Sequence, residues 1–499
     1  MSVLVAIDAG TTGVRALAID EQAVVVGVSY RELTQHFPSP GLVEHDPAEI
    51  WRLVEETLAE LAAGLSERGE PVAALGITNQ RETAVAWDTK SGEPLCRAIV
   101  WQDRRTADRC DELREAGHLP MIRERTGLVL DSYFSATKWE WMLRHGGVED
   151  TAGLALGTVD DWLLWHLTGE RRGGLHATDA SNASRTLLYD LRRLDWSEEL
   201  CALFSVPRRA LGSIVPSSGR VGQVSAGVAG GVLAGVPVSG IAGDQQAALF
   251  GQCCHRPGSA KVTYGTGSFI LMNLGSGVPQ PADGLLTTVA WQVAGETTYA
   301  LEGAVFASGA AIGWLRDGLG VIGDASEAGP LAESVPVNEG VYLVPAFTGL
   351  GSPWWDPDAR GAVIGITKGT GRAQLVRAAV EAMAYQTRDV LESMEHAAGR
   401  RVEVLRADGG AAVMDVLLQL QADQCRIPVA RPRTTEVTAL GVAMLAGLAE
   451  GVWASLEEVA SLVPAEHSFE PAMSTLRAGA DHANWLRALE RARHFAGRP

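Results

Sequence analysis

Two aspartates stand where an alcohol and a phosphate would be handled together. Asp8 follows the apolar run Val3-Leu4-Val5-Ala6-Ile7 and precedes the turn Gly10-Thr11-Thr12-Gly13. Asp244 follows Val236-Pro237-Val238-Ser239-Gly240-Ile241-Ala242-Gly243 in the segment SGIAGDQQAALFGQ, 239–252. A carboxylate at a strand end, beside a glycine-hydroxyl turn, can hold a magnesium-bound phosphate or accept the proton of an alcohol. Either aspartate read alone is an ordinary strand-to-turn residue. Two further glycine turns, Gly265-Thr266-Gly267 and Asp408-Gly409-Gly410, offer consecutive backbone N–H groups to an anion. Arg15 lies just past the first turn, where it could neutralise a phosphate in transfer. Arg81-Glu82 follows a buried strand and can donate to one hydroxyl of a diol while accepting from its neighbour. Trp101, Tyr133 and Phe269 are candidate walls for a small polyol. There is no GxxxxGK[ST] loop. Gly318–Gly323 matches GxGxxG, but it follows a helical segment and is in the wrong context for a dinucleotide site.

The elements that must hold these residues are α/β in class. Apolar runs at 3–7 and 14–19 flank the first turn and predict a β-hairpin, with a third strand at 23–30. Asp46-Pro47-Ala48-Glu49 predicts a helix start with an N-cap, a proline at the first helical position and a capping box. Ile50, Trp51, Val54, Leu58, Leu61 and Leu65 continue it at helical spacing. A strand is predicted at 72–78. Residues 260–274 echo residues 4–18 as strand, Gly-Thr-Gly turn and strand, so two related domains are expected with a ligand cleft between them. Their division is placed near 251–256, giving domains 1–252 and 253–499. A long helix is predicted over 372–398, ended by Gly399, followed by a strand at 402–406. The region after 455 reads as helical.

At 499 residues the chain exceeds what one core supports. Sixty acidic against 42 basic side chains give a formal charge of −18, which disfavours a nucleic-acid partner. It does not disfavour a nucleotide, which needs only local donors and a metal. Six cysteines form no CxxC pair, so neither a zinc site nor a disulfide framework is expected. The first ten residues lack the pattern of a secretory signal, and no apolar stretch reaches the roughly 18–20 residues of a membrane span. A cytoplasmic location with no membrane insertion is expected.

Taken together the motifs resemble those of the FGGY carbohydrate kinases. They are DAGTTGVRA (8–16), ITNQRET (77–83), IVWQDRRT (99–106), YFSATKWEWML (133–143), TDASNASRTLL (178–188), GIAGDQQAALFGQ (240–252), YGTGSF (264–269), ALEGAVFASGAAIGWLRD (300–317), FTGLGSPWWDPDARGAVIGIT (347–367) and LRADGGAAVMDVLLQLQAD (405–423). GDQQAALFGQ and NQRET are similar to the glycerol kinases among them. The resemblance implies two actin-like, ribonuclease H-like domains closing on ATP and Mg²⁺, and phosphoryl transfer to glycerol. It implies that Asp244 is the general base, and that Arg81, Glu82, Tyr133, Asp244 and Gln245 hold glycerol beside Trp101 and Phe269. It implies that Thr11, Thr12, Gly13, Arg15, Thr266, Gly309 and Gly410 contact the nucleotide, with Asp8 and Asp244 near the metal. It also implies a homodimer or homotetramer. Three positions depart from the family pattern: Gly13 stands where serine is common, Gly313 where glutamine is, and Met414 where asparagine is. The segment 223–235 contains neither arginine nor histidine. Relatives use those residues there for control by fructose 1,6-bisphosphate or by a phosphocarrier protein, so neither control is expected in that form.

Overall fold

The computed structural model describes residues 2–496. Each half of the chain is built on the same arrangement of strands. Val3–Ala9 pairs antiparallel with Gly13–Asp20, which pairs antiparallel with Val25–Glu32. On its other side Val3–Ala9 runs parallel to Val72–Asn79, and that strand runs parallel to Pro237–Gly243. In the second half Ala260–Tyr264 pairs antiparallel with Ser268–Gly275, which pairs with Glu296–Val305. Ala260–Tyr264 also runs parallel to Leu405–Asp408, and that strand to Val429–Pro432. The echo between residues 4–18 and 260–274 is therefore a repeat of topology. All these strands join one mixed sheet of thirteen among the described residues. The first strand is buried along its whole length, because it is central in the sheet and covered on both faces.

The helix Pro47–Glu67 starts as its sequence dictates. The Asp46 side chain accepts from the Ala48 N–H at 2.9 Å, and Pro47 needs no partner at that position. The six apolar residues at helical spacing are all buried against the first sheet strands. The expected capping box does not form, since Glu49 accepts from the Thr34 hydroxyl at 2.9 Å instead. Arg372–Ala398 ends at Gly399, whose φ is +60°.

Three boundaries differ from expectation. The third strand begins two residues later than predicted, at Val25, because residues 21–24 turn back on Asp20. The strand expected at 402–406 is Leu405–Asp408, placed by its pairing with Ala260–Tyr264. The region after 455 is not wholly helical. Ala465–Phe469 is an edge strand on Val429–Pro432, and only Phe469 of it is buried. An edge strand with four exposed residues carries no hydrophobic alternation to read.

The helix Val437–Ala449 decides how the halves meet. It follows the second half's strands in sequence, yet it packs across Pro237–Gly243, Val72–Asn79 and the helix Asp244–Gly251. Gly441 lies so close to Ala247 that a β-carbon would sit 1.9 Å from the Ala247 carbonyl oxygen. Only glycine permits that approach. Among the described residues no helix is long and apolar enough to cross a membrane.

Candidate active site

The two aspartates meet in one cavity. A space of about 450 Å³ is lined by Asp8, Gly10, Thr12, Gly13, Arg15 and Tyr30 on one side and by Asp244, Gln245 and Thr438 on the other. Asp8 is in the last residues of the first strand, and Asp244 opens the helix Asp244–Gly251. Burial pushes the Asp8 carboxyl up to about 6; Arg15 opposes this, while the carboxylates of Asp244 and Glu436 add to it. Burial also raises Asp244, against the pull of Arg81 and Lys261. Its Oδ1 accepts from the Gln245 N–H at 2.7 Å and faces Arg81 Nε at 3.2 Å.

Arg81 and Glu82 follow the strand Val72–Asn79, as expected, but they do not act as a simple exposed pair. Both are buried in a network of two guanidiniums and two carboxylates. Arg81 donates to Glu302 through Nη1 and, at 3.1 Å, through Nη2. Arg185 donates to Glu82 at 2.7 Å and to Glu302 at 2.8 Å. Its Nη1 is buried and has no hydrogen-bond partner among the described residues. Burial by itself would raise Glu302, but Arg185 and Arg81 prevail and hold it below the usual carboxylate range. Glu82 is raised by burial, which its two arginines only partly offset. Glu82 sits at φ +62°, a left-handed conformation that a non-glycine residue holds only where its surroundings impose it. The fully buried Lys138 imposes part of it, donating to the backbone carbonyls of Glu82 at 3.2 Å and of Tyr133.

The aromatic residues pack on one another and on Arg81, outside the lining of the cavity that Asp8 and Asp244 share. Trp101 stands edge-on to Tyr133 at 5.7 Å and to Phe269 at 6.3 Å, ring centre to ring centre. Arg81 lies 5.9 Å from the Phe269 ring centre, and the Tyr133 hydroxyl accepts from Arg81 at 3.3 Å. The Trp101 indole donates to the Thr11 hydroxyl at 3.0 Å, tying the aromatic wall to the first turn.

The remaining candidates fall in two groups. Arg15 is held between Asp8 at 2.9 Å and Glu436 at 2.7 Å, so in this structure its charge is spent on protein carboxylates from both halves. Thr266 and Gly309 are adjacent: Gly309 donates to the Gly265 carbonyl and Ala310 to the Thr266 carbonyl, each at 3.0 Å. The register of Thr263 with Asp408 brings Gly409-Gly410 beside this turn. Gly410 has open space over it. Gln252 donates to Asp408 at 2.8 Å, which links the helix bearing Asp244 to that third turn.

The departures have local explanations in part. A β-carbon at Gly13 would lie 2.4 Å from Tyr30 Cε2 and 2.8 Å from the Arg31 carbonyl oxygen. Tyr30 therefore occupies the room a side chain at 13 would need. Gly313 faces open space, and Met414 packs toward Gly329 and the apolar core of the second half.

Sequence reasoning assigned no role to Glu302, Arg185, Lys261, Lys138 or Glu436. Two of them left a trace. Glu302 and Lys261 are single charges inside apolar strands, ALEGAV and AKVTY, where burial demands a partner. Lys261 donates to Gln245 and to Thr263. Arg185 and Lys138 lie in mixed segments with no such signal.

An α/β protein with paired hairpins, two carboxylates and a glycine turn around one cavity, and two further glycine turns beside each other has parts suited to phosphoryl transfer. Residues 3–251 match the model of the N-terminal domain, and residues 260–450 that of the C-terminal domain, of the FGGY family of carbohydrate kinases. The chain belongs to the FGGY family of carbohydrate kinases. It is 53% identical to a glycerol kinase of Dechloromonas aromatica over 99% of this chain and 98% of that one. It is 49% identical to a glycerol kinase 2 of Thermotoga maritima, over 98% of this chain and 99% of the other. The crystal structure of Plasmodium falciparum glycerol kinase with ADP superposes with a TM-score of 0.92 at 34% identity, covering 99% of this chain and 98% of that chain.

Proposed function

We propose that this chain transfers the γ-phosphoryl group of ATP to a terminal hydroxyl of glycerol, giving sn-glycerol 3-phosphate. The observation that carries the mechanism is the placement of Asp244. Its carboxylate shares the 450 Å³ cavity with Asp8 and the Gly10–Gly13 turn and stands 3.2 Å from Arg81. Asp244 is the general base. A carboxylate raised by burial is a better proton acceptor for an alcohol than one in water. Arg81, Glu82, Tyr133 and Gln245 hold the hydroxyls, while Trp101 and Phe269 cover the carbon face. Thr11, Thr12, Gly13, Thr266, Gly309 and Gly410 supply nucleotide contacts, and Arg15 turns from Glu436 toward phosphate when the nucleotide arrives. Catalysis beyond the proton transfer is positioning and charge neutralisation.

The cavity suits a magnesium ion. Among the described residues there is no cluster of three or more acidic, histidine or cysteine side chains to cage a metal. Magnesium bound with phosphate needs only one or two carboxylates. Asp8 and Asp244 fit that need: both are raised by burial, and Asp244 adds to the rise of Asp8. The ion would supply charge neutralisation for the transferring phosphate. The domains are 1–252 and 253–499, with the ligands between them.

The test is glycerol-dependent release of ADP by the pure full-length protein, with and without Mg²⁺, across a panel of three- to five-carbon polyols. Turnover with glycerol that needs Mg²⁺ is expected. A higher rate on a four- or five-carbon polyol would overturn the substrate, and ATP binding with no turnover on any polyol would overturn the reaction.

A further inference from the structure

A second cavity, of about 790 Å³, lies at the other end of the second half's strands. The catalytic turns follow the carboxyl ends of Ala260–Tyr264 and Leu405–Asp408. This cavity is instead lined by the residues that enter those strands and by the helix Leu456–Ser461. Four arginines line it: Arg256, Arg400, Arg401 and Arg406. Two carboxylates, Glu403 and Glu457, line it with them. His255 adds no charge near neutrality, because burial lowers it to about 4.

In an acidic chain with 60 carboxylate residues, arginines readily find partners. Elsewhere many do, as at Arg81, Arg105, Arg185 and Arg377. None of these four makes an ion pair among the described residues. Arg400 donates to the Pro257 carbonyl at 2.7 Å, which orders its side chain across Gly258 and leaves its charge uncompensated. Arg406 is half-buried, at the start of a sheet strand, and its guanidinium has no hydrogen-bond partner among the described residues. Removing a guanidinium partly from water without a counter-ion is unfavourable. Four of them on one concave surface focus a positive field into it. Their planar forks match phosphate oxygens in geometry. The volume is that of a small-molecule site.

We propose that this cavity binds a small polyanion carrying two or more phosphate groups, at a site separate from the catalytic cleft. Charge spread over several phosphates can engage more of these four guanidiniums at once than a single phosphate can.

The experiment is calorimetric titration of the full-length protein with tripolyphosphate and, separately, with inorganic phosphate. Glycerol and ADP are kept saturating to fill the catalytic cleft, EDTA is present, and sodium chloride fixes the ionic strength. Tripolyphosphate is expected to bind at one equivalent with a micromolar Kd, at least about tenfold tighter than phosphate. Arg401→Gln/Arg406→Gln is expected to raise that Kd by about thirtyfold or more, as loss of two charge-assisted contacts requires. The exposed single variant Arg401→Gln, whose fold is not at risk, should raise it by about threefold to tenfold. Binding weaker than about 1 mM, or an unchanged Kd in the double variant, overturns the proposal. So does a double variant that changes the oligomeric mass in light scattering while the parent binds no tripolyphosphate, since the arginines would then meet another copy of the chain. The readout is binding, so it stands or falls apart from the polyol assay.

Discussion

Replacing Glu302 by glutamine tests whether the candidate site depends on a residue remote from it in sequence. Glu302 is fully buried and accepts from both Arg81 and Arg185. Glutamine keeps the shape but removes the charge, and its NH₂ group then faces guanidinium donors. Breaking a buried ion pair from one side costs about 3–5 kcal/mol. Here the lower end applies, about 3 kcal/mol, because negative charge remains nearby. Arg81 Nε keeps Asp244 at 3.2 Å, and Arg185 Nε keeps Glu82 at 2.7 Å. Urea unfolding should show a lower midpoint with the slope unchanged. Arg81 also loses the contacts that orient it toward Asp244 and Tyr133. A displacement of about 1 Å in a positioning group costs about 100-fold, so kcat/KM for glycerol should fall by that order. Glu302→Asp, which keeps the charge on a shorter stem, should fall between the two. In Arg185→Met/Glu302→Gln the stability loss should be smaller than the sum of the single losses, since one of the two cations that Glu302 pairs is gone, but kcat/KM should not recover. A loss of stability below about 1 kcal/mol in Glu302→Gln, together with kcat/KM within about threefold of the parent, refutes the argument.

Asp244→Asn should lower kcat by about 10²–10⁴ while urea stability near neutral pH does not fall, because asparagine has no charge to desolvate; kcat within about tenfold of the parent removes Asp244 as base. Gly13→Ser should destabilise by about 1–3 kcal/mol through overlap with Tyr30 and the Arg31 carbonyl, and Gly13→Ser/Tyr30→Ala should recover only part of that in a thermal melt; an undiminished melting temperature in the single variant would show that Tyr30 moves aside freely. Asp160 is buried, accepts from the hydroxyls of Thr158 at 2.5 Å and Thr178 at 2.7 Å, and is raised to about 7 by burial and by Asp179. Between about pH 4 and 7 the folded state therefore holds a proton that the unfolded state releases, so this group's contribution favours folding at low pH and is lost as pH rises through 7, with a slope of at most about 1.4 kcal/mol per pH unit. Unfolding free energies of the parent minus those of Asp160→Asn should show that slope, and a difference flat across the window would contradict it.

Much of the site was legible because its signals are local. Asp8 sits where an apolar strand runs into its turn and Asp244 where one gives way to a helix, and hydrophobic patterning marks such strand ends without reference to the rest of the chain. Asp46 and Pro47 start a helix through bonds within three residues, and Gly399 ends one through its own φ. The two hairpins could be matched to each other because strand, glycine turn and strand are contiguous. The ion network could not be read this way. Arg81 reaches Glu302 across 221 residues and Arg185 reaches Glu82 across 103. A charge in an apolar strand announces that it must be compensated, but not by which residue.

The amino-acid sequence by itself determined the glycine turns, the start of Pro47–Glu67 and the end of Arg372–Ala398, since each follows from steric and hydrogen-bonding preferences of neighbouring residues. Tertiary structure alone decided three things. It made Ala465–Phe469 a strand, because the edge of Val429–Pro432 was open to it. It laid the late helix Val437–Ala449 on strands of the opposite half, because Gly441 and Gly251 let backbones touch there. And it bound Arg15 to Asp8 and Glu436, so that a residue expected to meet phosphate rests between carboxylates from both ends of the chain. Each depends on surfaces that exist only after distant segments have packed.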